Sequence, residues 1–476
     1  MMQPDEKPGL IRSLGLFATF ILVVSSVIGS GVYKKVAPMA AELGSPLLVI
    51  FAWVAAGLIT LFGALSNAEV ASMMAGAGGE YVYFKRIYNR FFAFLFGWSC
   101  FTVIRSSALA SIAYVFSQSF NNLVPLPELP DSIAAINLFG IFTPFDNFGV
   151  KALTIFLVVA LTFFNILGAK TGEGLSRYVL VAVTISIIAI IVLGLTIGGG
   201  SAAHLTTTDS SHFPGTWNSL IFLQHFFAAM LAAFWAFEGW SSIGYLGAEI
   251  KNANRNLPLA LVGGVLFIMA VYTAINFTYL YVLPVDKIIE AHQTQNTIAA
   301  IAVVQSFLGN GGAIFMSVLI LFTTFGATNS TVMPPPRLYY AMAKDGLFFK
   351  LASYIHPRYH TPSKALLLQA VWASLLVLSG SFDQLTDMLV FASFIFYAAT
   401  TLGVFILRVK EPEAQRPYKA WGYPVVPALF ILFCLALVII TFTTKPREAL
   451  LGVGLTLTGV PFWYFWSRKN KNINPD

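Results

Sequence analysis

Twelve stretches of this chain are each long enough, and poor enough in charge, to cross a lipid bilayer. A hydrocarbon core of about 30 Å takes roughly 20 apolar residues in helical form. The runs fall at about 14–38, 47–72, 91–119, 150–168, 170–197, 218–249, 259–282, 310–343, 364–380, 385–408, 424–443 and 448–466. Gly168 and Gly172 bracket Lys170 and divide what would otherwise be one run too long for a single span. In lipid, every backbone N–H and C=O must find a partner within the protein, so runs of this kind become helices. The expected fold is therefore all-α and integral to the membrane, with twelve transmembrane helices.

Composition agrees. Of the 476 residues, 57% are hydrophobic and 10% are charged, whereas a soluble domain carries about 25% charge. The longest loops, about 120–149 and 198–217, are polar or Pro-rich and leave no room for a soluble domain. The net charge of +7 is spread over short loops between apolar runs, which argues against a nucleic-acid partner. Cys100 and Cys434 both lie in apolar runs and imply no disulfide framework. Asp5 and Glu6 precede the first run and no convincing cleavage site closes it, so it reads as a retained span.

Orientation follows from the basic residues of the short loops. With the N-terminus inside, Lys85, Arg86, Arg90, Lys251, Arg255, Arg337, Lys344, Lys350, Arg408 and Arg416 all become cytoplasmic. An even number of spans then puts both termini in the cytoplasm of a cell-membrane protein.

Two spans carry residues that a membrane helix tolerates poorly. Glycine and serine weaken a helix, one through entropy and the other by competing for backbone hydrogen bonds. The first run contains Gly29-Ser30-Gly31; the sixth contains Glu238-Gly239 and Ser241-Ser242 near its middle. Interruptions at corresponding positions of two five-span halves point to an inverted-repeat transporter. Where a helix unwinds, its second half bares N–H groups and its first half bares carbonyls. N–H groups around Ser30, Gly31 and Val32 can take a substrate carboxylate. Carbonyls around Val27, Ile28 and Trp235 can take its ammonium. An α-amino acid carries both groups a few bonds apart.

Six motifs in order, "VIGSGVY" (27–33), "GAGGEYVYF" (76–84), "NILGAKTG" (165–172), "FWAFEGWSSIGYLGAEIKNANRNLP" (234–258), "YYAMAKDGL" (339–347) and "RPYKAWGYPVVP" (416–427), span essentially the whole chain. Together they resemble the amino acid–polyamine–organocation superfamily. Within it they look most like the L-type amino acid transporter branch and its bacterial serine/threonine-exchanger-like members. The resemblance implies a five-plus-five inverted repeat with broken helices 1 and 6, plus two C-terminal helices. Helices 1–5 then occupy 1–197, helices 6–10 occupy 198–408, and helices 11–12 with a cytoplasmic tail occupy 409–476. It implies alternating access and exchange of amino acids, with no enzyme activity, cofactor or metal. By position, Ser30 and Gly31 fall where the family binds the carboxylate, and Val27 and Glu238 where it offers carbonyls to the amine. Trp235 falls at the aromatic that closes over the substrate, and Ser241 at a side-chain-selecting position. Phe237 and Tyr33 are further gate candidates. Lys170 falls where similar transporters place a lysine instead of a bound sodium ion, with the carbonyls near Ile28 and the hydroxyls of Thr323, Thr324 or Thr328 as partners. The family cysteine that joins a single-span glycoprotein lies between spans 3 and 4, and 120–149 has none. A stand-alone carrier is expected.

Arg105 and Glu238 sit near mid-span, where a charge costs about 2.5–3.5 kcal/mol on insertion scales. They are expected to pair beside the substrate, directly or through water. A guanidinium left to the substrate would instead hold an acidic side chain, and a titrating Lys170 or Glu238 would allow proton symport. Glu69, closing the second span, reads as interfacial and structural. "GAGGE" lacks the Lys-Ser/Thr of a phosphate cradle. Pro334–Pro336 should bend or loosen the tail of the eighth span.

Overall fold

The computed structural model describes residues 14–74, 79–138, 142–167, 172–213, 215, 219–243, 250–293 and 297–471. Its elements are helical. In chain order they are α1 (Leu16–Val27), α2 (Gly31–Lys34), α3 (Val36–Leu43), α4 (Pro46–Met73), α5 (Gly79–Ile87), α6 (Arg90–Ser99) and α7 (Arg105–Asn121). There follow α8 (Asp131–Ala134), α9 (Phe148–Ile166), α10 (Gly172–Ile197), α11 (Ala202–Thr206), α12 (Leu220–Phe237), α13 (Ala253–Val282) and α14 (Val285–Gln293). The remainder are α15 (Ala299–Val332), α16 (Pro335–Lys344), α17 (Ser363–Ser379), α18 (Phe382–Lys410), α19 (Val425–Thr444), α20 (Pro446–Leu457) and α21 (Gly459–Lys471).

Among the described residues, nine helical stretches are long and apolar enough to cross a membrane. Shorter apolar helices at Leu16–Val27, Val181–Ile197 and Ser363–Ser379 cover three further predicted runs. The expected span at 310–343 starts where the sequence placed it, because Gly309 (φ 62°, ψ −156°) breaks α15 just before residue 310, and it stops at Val332. The prolines explain the stop: Pro335 and Pro336 open α16, where a missing N–H costs nothing. Other boundaries also follow local chemistry. Ser219 caps α12 by accepting from Phe222 N at 3.0 Å. Ser381 and Gln384 form a reciprocal capping box at the start of α18.

Two packing relationships position the site. The central helix formed by α6 and α7 is joined by a π-helical turn, Cys100–Ile104. Such turns leave carbonyls out of register and recur at functional sites. Here Tyr339 on α16 donates to Cys100 O at 3.3 Å and Trp372 on α17 donates to Thr102 O at 2.8 Å. Both helices thereby hold the irregularity that sets the direction of Arg105, the next residue. At the other end of α4, Glu69 is 1% exposed and takes a bidentate hydrogen bond from Arg408 at 2.9 and 2.7 Å. It also accepts from Ala420 N at 2.6 Å. Glu69 is therefore structural as expected, but buried rather than interfacial: it pins the α18–α19 connection to α4. Large side chains such as Phe156, Phe163, Ile185 and Ile439 point outward, as a lipid-facing surface requires.

Candidate substrate-binding site

The first broken helix ends as its sequence demands. Ile28 leaves α1 in an extended conformation (φ −69°, ψ 105°), and the chain re-enters helix at Gly31. α2 continues through Lys35, whose N–H donates to Gly31 O at 3.0 Å, into α3. The second break lies at Glu238 (φ −63°, ψ 144°) and Gly239 (φ 110°), after α12. A positive φ of this size suits glycine and strains other residues.

The two breaks touch. Ser26 Oγ donates to Gly239 O at 3.2 Å. A Cβ built on Gly31 would lie 2.7 Å from Ala236 Cα, and one on Gly239 would lie 2.3 Å from Ser26 O. Both glycines are therefore there for close backbone approach. Farther along, Lys251 N donates to Leu14 O at 2.8 Å, so the chain at 250–251 meets the start of α1. At the crossing, Gly31 faces Ala236 and Gly239 faces Ser26, and α12 packs along α2 and α3.

Tyr272 on α13 ties this crossing together. Its fully buried hydroxyl lies 3.1 Å from Val27 O and 3.0 Å from Ala236 O. One hydroxyl hydrogen serves both carbonyls, one from each break. The carbonyl of Trp235 receives Glu238 N at 3.1 Å. Val27 and Trp235 therefore keep one lone pair each for a further donor, since a carbonyl oxygen has two.

Ser30, Gly31 and Val32 are buried at the start of α2, whose first N–H groups have no intrahelical acceptor. Ser30 Oγ is buried with no hydrogen-bond partner among the described residues, and the same is true of Ser241 Oγ in the short turn after the second break. Ile28 is also buried. Glu238 receives the Tyr397 hydroxyl at 2.9 Å on both carboxylate oxygens. Arg105 is close enough to act on that carboxylate electrostatically. A narrow cavity opens here between Glu238, Trp240, Phe394 and Tyr397. Glu238 thus has a hydrogen-bond partner in Tyr397, which nothing in its local sequence marked.

Trp235 is 6% exposed and meets Phe382 edge-to-face at 5.9 Å. Phe237 instead packs on Tyr272 at 5.3 Å and Trp53 at 6.1 Å, among helices α4 and α13. Tyr33 is completely buried. Lys170 lies outside the described residues. Its expected partners Thr323, Thr324 and Thr328 each donate to a carbonyl of their own helix, at 2.8, 2.6 and 2.6 Å.

The sequence reading placed almost every basic residue in a short loop, yet Lys34, Lys35 and Lys151 are buried in or at the ends of helices. Lys34 and Lys35, just beyond the first break, are 4% and 0% exposed. Lys35 Nζ donates to Asp383 Oδ1 and Thr386 Oγ1, both at 2.7 Å. Lys34 Nζ donates to Gln118 Oε1 at 2.5 Å and stands 4.4 Å from the Phe382 ring centre. Their position four and five residues past Ser30, inside an apolar run, was the available signal.

Comparison with known proteins adds identity to this geometry. The amino acid permease family model matches residues 14–466. The serine/threonine exchanger SteT of Bacillus subtilis is 31% identical over 96% of this chain and 98% of its own length. The human b(0,+)-type amino acid transporter 1 is 28% identical over 98% of this chain and 90% of its own. The human Asc-type amino acid transporter 1 is 26% identical over 99% and 84%. With apolar helices throughout and two abutting helix breaks, the chain belongs to the amino acid permease family of the amino acid–polyamine–organocation superfamily, and is a multi-pass membrane protein of amino acid transport, not an enzyme.

Proposed function

We propose that this protein exchanges neutral L-amino acids across the cell membrane by alternating access, without sodium. The observation that carries the reading is the contact between the two breaks. It gathers bare N–H groups at 30–32 and half-satisfied carbonyls at Val27 and Trp235 in one place, as a zwitterion requires. Ser30 and Gly31 take the carboxylate, Val27, Ile28 and the backbone of Glu238 take the ammonium, and Trp235 closes over them. Ser241 meets the side chain. The unpartnered hydroxyls of Ser30 and Ser241 favour small, hydroxyl-bearing substrates, in keeping with the serine/threonine exchanger among its relatives. The neighbouring charges of Arg105 and Glu238 offset one another, which favours a neutral cargo over an acidic one.

The same reading has twelve spans in a five-plus-five inverted repeat (1–197 and 198–408) with two added helices (409–476). Both termini are cytoplasmic, Lys170 replaces a sodium ion, and the carrier works without a disulfide-linked subunit.

The test is exchange in proteoliposomes loaded with labelled amino acid, with all twenty amino acids as trans-stimulants. Serine, threonine and alanine should drive efflux equally in sodium and in choline salts. Stimulation by aspartate or glutamate that Arg105→Gln abolishes would move the function to acidic substrates. Uptake that follows an imposed proton gradient with no trans amino acid would replace exchange by symport.

A further inference from the structure

The chain from Arg337 to Lys364 carries the basic residues Arg337, Lys344, Lys350, Arg358 and Lys364, against the single acidic residue Asp345. Asp345 is already taken: it receives the Lys85 ammonium and the Tyr81 hydroxyl. The connection between α16 and α17 is therefore left strongly positive. It forms a shallow, open recess lined by Lys350, Leu351, Ser353, Tyr354, Ile355 and Lys364, with no carboxylate on its wall. Lys364 Nζ stands 4.4 Å from the Tyr354 ring centre, a contact that positions the ammonium without neutralising it. The recess is built by its own loop. Ser353 Oγ donates to Lys350 O at 2.8 Å and closes the short 3-10 helix Lys350–Ser353. His356 Nδ1 accepts from the N–H groups of Arg358 and Tyr359 at 3.2 and 3.3 Å, and His356 N donates to Thr361 O at 2.8 Å. Thr361 Oγ1 in turn donates to Ile166 O at 2.8 Å, which ties the loop to the end of α9.

An apolar stripe leaves the recess along α17. Leu367, Val371 and Leu375 follow Lys364 at helical spacing, so they share its face, and all three are exposed. The helix from Lys364 to Leu375 extends about 16 Å, the depth of one leaflet of a hydrocarbon core of about 30 Å. Leu351, Tyr354 and Ile355, also exposed, carry the apolar surface up to the recess itself. We propose that this recess binds the phosphate of an anionic phospholipid, with Lys350 and Lys364 donating to the phosphate oxygens and an acyl chain lying on Leu367, Val371 and Leu375. Lysine meets phosphate as a point charge, so the two ammonium groups suit a tetrahedral anion that is not held bidentately. They repel the quaternary amine of a zwitterionic headgroup, which sets the preference for an anionic lipid. The stripe sets the preference for a ligand with chains over a soluble phosphate. Basic recesses beside membrane helices on the cytoplasmic side are suited to such headgroups. The proposal rests on the orientation given above only in placing the lipid in the cytoplasmic leaflet.

The test titrates the full-length protein, purified and delipidated in a neutral detergent, with phosphatidylglycerol or phosphatidylcholine of matched chains. Native mass spectrometry counts the bound lipid. The parent should hold phosphatidylglycerol at least roughly tenfold more tightly than phosphatidylcholine. Lys350→Gln and Lys364→Gln should each weaken it roughly fivefold, the factor expected for one lysine facing an anionic lipid surface, and the double variant should lose the preference. Lys350→Arg with Lys364→Arg keeps both charges and should retain it, which separates a lost site from a misfolded protein. Arg337→Gln with Lys344→Gln removes as much charge from outside the recess and should leave the preference intact. An equal loss in that control would reduce the effect to diffuse attraction by a basic face and overturn the site. Equal binding of the two lipids by the parent would overturn it as well. Glycerol 3-phosphate, a headgroup without chains, should not displace the lipid even in large excess; displacement would make the recess a site for soluble phosphates and end the lipid assignment. Binding is read without transport, so a parent that exchanges no amino acid would sink the transport reading and leave this site standing.

Discussion

Gly31 and Ala236 approach so closely that a single methyl group added to the glycine would stand 2.7 Å from the Ala236 Cα. The atom it meets is backbone, so no rotamer change relieves the clash. Gly31→Ala should therefore push the halves of the two broken helices apart at the crossing. Exchange should fall at least roughly tenfold, while the detergent-solubilised protein stays monodisperse on gel filtration, since one local overlap typically costs about 1–3 kcal/mol. Retention of full exchange by Gly31→Ala would mean that the crossing is looser than described.

Tyr272 offers a gentler probe of the same place. Tyr272→Phe keeps the ring contacts with Trp53 and Phe237 and removes only the hydroxyl between Val27 O and Ala236 O. The expected loss is about 0.5–1.5 kcal/mol of stability, visible as a lower Tm in detergent. Because the freed carbonyl of Val27 lies where the ammonium is proposed to bind, the substrate KM should change more than it does for a distant mutation of equal Tm.

The Glu69 clamp predicts a stability effect on the cytoplasmic side of the proposed topology. Glu69 is buried under Arg408, with Arg416 Nε 3.6 Å from it. Glu69→Ala leaves Ala420 N without its acceptor and Arg408 without its partner. Removing one member of a buried pair costs about 3–5 kcal/mol, so thermal denaturation should shift strongly downward. Arg408 is partly exposed and Arg408→Ala should cost less. A Glu69→Ala protein with an unchanged Tm would rule out the clamp.

His292 lies in α14, outside the apolar spans, and supplies a pH test. Burial pushes its imidazole below the ordinary value; Asp383 opposes this, and Lys34 and Lys35 add to it. The folded state thus prefers the neutral ring. The unfolded chain binds the proton more readily, so this contribution is complete above the unfolded pKa of about 6.5 and is lost as pH falls below it. Tm should decline between pH 7 and pH 5.5, and His292→Gln should flatten part of that decline. An identical pH profile in the variant would show that other groups carry it.

The apolar runs alone determined that the chain is a helical membrane protein. With no water in the bilayer, a backbone segment of that length has no alternative to helix. Gly29-Ser30-Gly31 and Glu238-Gly239 also announced both breaks, because glycine and serine act on their own local backbone. What the runs could not reveal was how those breaks are held. Tyr272 was one aromatic among many until folding carried its hydroxyl to Val27 and Ala236, residues 245 and 36 positions away. Lys34 and Lys35 fall inside the first apolar run, but nothing in their local sequence says what meets their charge. Only the packing of α18, with Asp383 in its first turn, decided that they would be buried. Local propensity acts within a turn or two of helix, whereas the partners of a buried charge come from segments hundreds of residues apart, and tertiary structure alone brings them together.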